Sequence, residues 1–123
     1  MSGTRADRRR AAYRHGLWAE ELAALWLRAK GFRLLGRRVR IGGGELDLIM
    51  RRGSLVIFVE VKYRPDPERA AEAIGPAQQR RQLRAAASWL GGRADLQECS
   101  WRFDAVFVAP WRRPRHVASI FDG

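Results

Sequence analysis

The stretch ELDLIMRRGSLVIFVEVKYR constrains this chain more than any other, because it is two apolar strands folded about a very short turn at Arg52-Gly53. Runs of Leu, Ile, Val and Phe interrupted only by Arg-Arg-Gly form an antiparallel hairpin, with strands at Glu45–Arg51 and Ser54–Arg64. The remaining elements are punctuated by Gly and Pro. Phe32–Arg40 reads as a strand before the break at Gly42-Gly43-Gly44, and Pro65 and Pro67 end the hairpin. A helix from Pro76 to Leu90 has Pro at its start and Gly91-Gly92 at its stop. WRFDAVFVAP and RHVASIF supply two last strands, and LWAEELAALWLRAK (Leu17–Lys30) supplies a first helix closed by Gly31. The order is therefore α-β-β-β-α-β-β, an α/β fold whose mixed sheet is flanked by helices. A chain of 123 residues, 46% of them apolar, has one domain's length and enough material for one core.

On the first helix, Trp18, Leu22, Leu25, Trp26 and Ala29 fall on one stripe at helical spacing, the expected buried side. Glu21 shares a side with Arg14 and Arg28 and reads as a solvated charge. Glu20 lies with Ala23, Ala24 and Leu27 on a smaller apolar stripe, where a carboxylate either snorkels outward or faces a site between helix and sheet. Trp18, Trp26 and Trp89 lie on helix stripes and read as core. Trp101 and Trp111 flank strands, where stacking on bases is the alternative to packing.

The residues able to do chemistry gather in the hairpin. Side chains alternate along a strand, so Glu45 and Asp47 share one face and Leu46, Leu48 and Met50 the other. In the next strand Glu60 and Lys62 stand together with Val56 and Phe58. If the register sets Asp47 opposite that pair, two carboxylates and a lysine converge. Hard oxygen ligands of this kind suit Mg²⁺, with Mn²⁺ as a substitute. The lysine can then orient or deprotonate a bound water. Each acid has a plainer alternative: Asp47 as partner of an arginine, Glu45 as a turn-stabilising carboxylate rather than a further ligand. His15 and His116 lack ligand-like spacing and read as bystanders. Cys99 has no activating neighbour and reads as a packing residue.

The net charge is +11, and of 24 basic side chains all but Lys30 and Lys62 are arginine. Such an excess favours a polyanion, with nucleic acid ahead of a membrane surface and DNA ahead of RNA. Arg8, Arg9 and Arg10 near the start, Arg38 and Arg40 on the first strand, Arg64 at the hairpin's end and Arg80, Arg81 and Arg84 on the second helix are the expected phosphate contacts. The start of the chain reads either as a phosphate-contacting tail or as a solvated extension of the helix. A single cysteine excludes a disulfide framework and any Cys-built zinc site. No apolar run is long enough for a membrane span. The first fifteen residues lack a secretory h-region, so the cytoplasm is the expected location.

AEELAALWL, KGFRLL, GGGELDLIM, VIFVEVKYR and WRFDAVFV, taken in succession, resemble the YraN-type family of small bacterial proteins. That family is similar to the restriction-endonuclease-like superfamily, and within it to archaeal Holliday junction resolvases. The resemblance implies a basic arm at residues 1–15 followed by one nuclease-like domain at 16–123. It implies a Mg²⁺-dependent endonuclease in DNA repair or recombination, with Asp47, Glu60 and Lys62 as the acid, acid and lysine of the nuclease motif. It further implies the Val61 carbonyl as a metal ligand and Glu20 as the helix carboxylate, acting directly or through a water. A junction-cutting enzyme needs two active sites, which favours a homodimer. Two positions depart from the family's pattern: Arg38 stands where Asn is usual, and Gln78 where Lys is usual. The alternative to an enzyme is a nucleic-acid-binding protein that keeps the fold and the charge without turnover.

Overall fold

The computed structural model describes residues 4–63 and 75–121, with residues 11–15 described by their backbone alone. Helix α1 (Arg5–Ala29) is followed by strands β1 (Arg33–Ile41), β2 (Gly44–Arg52) and β3 (Leu55–Tyr63), helix α2 (Pro76–Gly91), a 3₁₀ turn at Ala94–Leu96, and strands β4 (Ser100–Val108) and β5 (Arg115–Phe121). The expected order of helices and strands is present. The five strands lie in the sheet in chain order. Every neighbouring pair is antiparallel except β3–β4, which is parallel and therefore needs the return path that contains α2.

The two helices cover opposite faces. Ala19, Ala23, Ala24 and Leu27 of α1 pack with Leu48, Met50, Ile57, Val59, Val106 and Val108. Ala85 and Ala86 of α2 pack with Leu46, Ile49, Val56, Phe58, Leu96 and Phe103. No described helix is long and apolar enough to cross a membrane.

Two readings of α1 need correction. The helix starts at Arg5, capped by Thr4 and Asp7 in a reciprocal capping box, so the basic start is an extension of the helix. Among the residues with described side chains the first buried one is Ala19, and Arg5, Arg8, Arg9 and Arg10 are exposed. The buried side is also the other stripe. Trp18 and Leu25 are 45% and 51% exposed, whereas the alanine stripe beside Glu20 is sealed. Small side chains let the helix axis approach the sheet, and the larger ones then fall at its margins. Trp101, expected to flank a strand, lies inside β4 and packs edge-on against Phe58 and Phe103 at 5.9 and 5.8 Å.

Glycine sets the other helix. A Cβ on Gly44 would come 2.5 Å from the Arg81 carbonyl oxygen, and one on Gly42 would come 2.8 Å from Ser88 Oγ. The β1–β2 turn thus lies directly on α2, and Gln82, one residue beyond Arg81, is buried against the sheet.

Candidate metal centre

β2 pairs with β3 from Arg52–Leu55 to Leu48–Val59 and no further. The continuing register would join Leu46 to Val61 through the main chain. Instead the Asp47 carboxylate accepts the Val61 N–H at 2.9 Å, taking the place of a ladder carbonyl. N–H and C=O of one residue point to the same neighbour in an antiparallel pair, so the Val61 carbonyl also faces the Asp47 side. The alternation of β2 fails here: Leu48 and Met50 pack under α1, but Leu46 packs under α2. Leu46, Leu48 and Met50 therefore do not share a face, contrary to the simple strand pattern.

The irregularity crosses into β1. Arg37–Leu48 and Val39–Leu46 are register partners, while Arg38, between them, has a φ of +53°. A left-handed backbone suits Asn far better than a long side chain, and this is the position where the resembled family has Asn. Arg38 directs its guanidinium to Glu20 on α1, with Nε 2.6 Å from Oε2. Glu20 thus faces the helix–sheet interface instead of snorkelling outward.

Glu60 and Lys62 emerge on the α2 side of β3. Lys62 Nζ lies 3.0 Å from Glu60 Oε1, and the two side chains are only 19% and 10% exposed. Gln82 Nε2 donates to Glu60 Oε2 at 2.7 Å. Asp47, Glu60 and Gln82 line a small enclosed space with Phe58 and Phe103. Burial first, and the negative charges of Glu60 and Glu20 next, raise the Asp47 pKa to about 7, against the bond from Val61 N–H and the charge of Lys62. Two carboxylates crowded out of water favour a proton or a cation between them. Among the described residues no three His, Cys, Asp or Glu side chains form a ready ligand set. Two carboxylates with a carbonyl fit a hard divalent ion that retains several waters, the habit of Mg²⁺.

Glu45 stands apart, exposed and 3.7 Å from Arg40 Nε. Arg40, Glu45, Arg81 and the three glycines line an open groove of about 610 Å³ at this end of the sheet. Arg80 and Arg84 are exposed on α2, whereas Arg64 lies outside the described residues. Gln82 was absent from the expected site. Its signal in the sequence is faint: a polar residue on α2 beside the buried Ala85 and Ala86.

Residues 19–108 match the Uncharacterised protein family UPF0102. The chain belongs to this family. Its relatives include a UPF0102 protein of Paramagnetospirillum magneticum, 51% identical over 111 residues that cover 87% of this chain and 86% of the relative. Another, from Mesorhizobium japonicum, is 52% identical over 115 residues, covering 94% of this chain and 92% of the relative. The UPF0102 match is the YraN-type membership that the motifs resembled, and its residue range includes Glu20, Asp47, Glu60, Lys62 and Gln82.

Proposed function

We propose that this chain hydrolyses phosphodiester bonds in DNA with Mg²⁺ held by Asp47, Glu60 and the Val61 carbonyl. The observation that carries the reading is the parting of β2 from β3 at Asp47, which brings a buried carboxylate, a partly buried one and a partly buried lysine to one point. A bound divalent ion would polarise a phosphoryl oxygen and acidify its water. Glu60 fixes Lys62 by its ion pair, and Gln82 fixes Glu60. Lys62 is then placed to orient the attacking water or receive its proton, a role Arg cannot fill because it does not deprotonate. Glu20 acts from α1 directly or through a water. Arg40, Arg80, Arg81 and Arg84 hold the backbone of the substrate, while Arg38 is occupied by Glu20 and positions it.

The test is single-turnover cleavage of labelled linear, flap and four-way DNA with Mg²⁺, Mn²⁺ or EDTA. Asp47→Asn, Glu60→Gln and Lys62→Arg should each slow cutting at least ~100-fold, the lower end of what a positioned acid–base group contributes. Wild-type rates in these folded variants would remove the centre. A second reading, nucleic-acid binding without turnover, draws on Glu60, both of whose oxygens are already engaged by Lys62 and Gln82. DNA binding with no metal-dependent cutting on any substrate would decide for it.

A further inference from the structure

The end of β3 that carries Glu60 and Lys62 also carries Tyr63, whose side chain alternates to the α1 face. There it meets Trp18 edge-on, with ring centroids 6.0 Å apart. Trp18 precedes Glu20 by two residues on α1, so both aromatics come from elements that build the metal centre. The wall opposite is Pro110-Trp111, just past the end of β4, which runs parallel to β3 and finishes beside it at Tyr63–Val108. Trp18, Tyr63, Pro110 and Trp111 together line a cleft of about 380 Å³, within the range of small-ligand pockets.

Trp111 is fully exposed, yet its φ is +63°. A left-handed backbone is strained for a bulky residue, and no burial compensates for it here. The strain holds an indole out in water at the rim of a cleft already walled by two aromatic rings. Arg112 and Arg113 follow it, both exposed. The extension of α1 before Trp18 bears exposed Arg5, Arg8, Arg9 and Arg10. Among the described residues no acidic side chain lines the cleft.

From this arrangement we infer that the cleft stacks an unpaired nucleobase of a DNA strand whose backbone runs toward Asp47 and Glu60. Aromatic walls recognise the π face of any base, and the surrounding arginines recognise the phosphates to either side. A base inside a duplex cannot enter, because its faces are already stacked on its neighbours. The inference deepens the proposed activity, on which it rests, by assigning the substrate class: DNA with unpaired bases at a flap, gap or branch, in preference to continuous duplex.

Fluorescence anisotropy in EDTA tests it, with a fully paired duplex, the same duplex carrying a short single-stranded flap, and oligothymidylate as labelled probes. Wild type should prefer the flap to the duplex by roughly 10-fold, within the loss usual for one stacked base. Trp111→Ala and Trp18→Leu should abolish that preference and leave duplex affinity within about twofold, while Trp111→Phe retains it. Trp111 is fully exposed, so its variants should keep the wild-type circular dichroism. Binding without metal separates this result from the nuclease reading: a flap preference with no cleavage in Mg²⁺ would defeat the enzyme and leave the cleft. Equal wild-type affinity for paired and unpaired DNA would overturn the cleft even if cleavage occurs. So would a Trp111→Ala variant that keeps the preference, or one that loses only self-association in sedimentation, which would make the occupant a second copy.

Discussion

Two carboxylates on the inner strands, Asp104 fully buried and Asp47 partly so, have opposite environments. Asp104 on β4 is completely buried and fully served. Arg102 grips both its oxygens at 2.8 and 3.0 Å, His116 Nε2 lies 2.7 Å away, and the Ser119 N–H donates at 3.1 Å. Burial alone would raise its pKa, but these bonds outweigh it and hold the group below the ordinary carboxylate range. Asp47 receives the Val61 N–H and faces Glu60 and Glu20, so burial and like charge prevail and its pKa rises to about 7. One carboxylate is completed by the protein itself. The other is left wanting positive charge, and the two differ in what the fold provides around them as well as in depth. Buried and satisfied signals structure; buried and crowded by its own kind signals a site.

Removing the acceptor should have the larger effect on stability. Asp104→Ala strands Arg102 and a His116 whose side chain is only 8% exposed. The expected cost is about 3 kcal/mol, the low end for breaking a buried ion pair, because Arg102 is 32% exposed and can partly rehydrate. Urea unfolding would check this, and a loss below about 1 kcal/mol would make the network ornamental.

Asp47→Asn should move the other way. A carboxyl whose folded pKa is raised from 3.8 to about 7 carries almost no penalty below about pH 3, where both states are protonated. The penalty grows as pH rises between those values and is complete above about 7. The amide variant, which keeps an oxygen for Val61 N–H but buries an NH2 group of its own, should therefore gain roughly 1–2 kcal/mol, less than the full shift, over wild type at pH 8 in EDTA, and almost nothing at about pH 3. Burial and the charges of Glu60 and Glu20 set this shift, so a gain that did not vary with pH would show that the Asp47 pKa is not raised.

The smallest effect is expected at the surface. Arg37 and Glu21 pair at 2.8 Å with side chains 37% and 51% exposed, and Glu21→Ala should change stability by less than about 0.5 kcal/mol. A larger loss would mean that exposure alone does not separate structural charges from the rest.

The elements, the hairpin and the meeting of Asp47, Glu60 and Lys62 were legible because each rests on local signals: a Gly turn, period-two alternation, an Glu-x-Lys strand end. What escaped depends on contacts distant in sequence. The turnover of β2 at Asp47 follows from the left-handed backbone of Arg38, nine residues earlier by count, which no alternation pattern encodes. His116 read as a bystander because its partner Asp104 is reached only through the β4–β5 register, where Val106 faces His116. Hydrophobicity without size points to the tryptophan stripe of α1, whereas close helix–sheet packing favours the alanine stripe.

The one parallel pairing also divides the molecule in time. β1, β2 and β3 are joined by short turns, so loop-closure entropy for bringing Asp47 to Val61 is small. The β3–β4 pair must wait for α2 to carry the chain back, and contacts of that range are formed slowly. Lys30 and His116, whose nitrogens lie 3.2 Å apart across 86 residues, can meet only after that. The crowded carboxylates and the network around Asp104 thus each rest on a local strand pair, β2–β3 and β4–β5, and only the β3–β4 seam between them waits for the long return path.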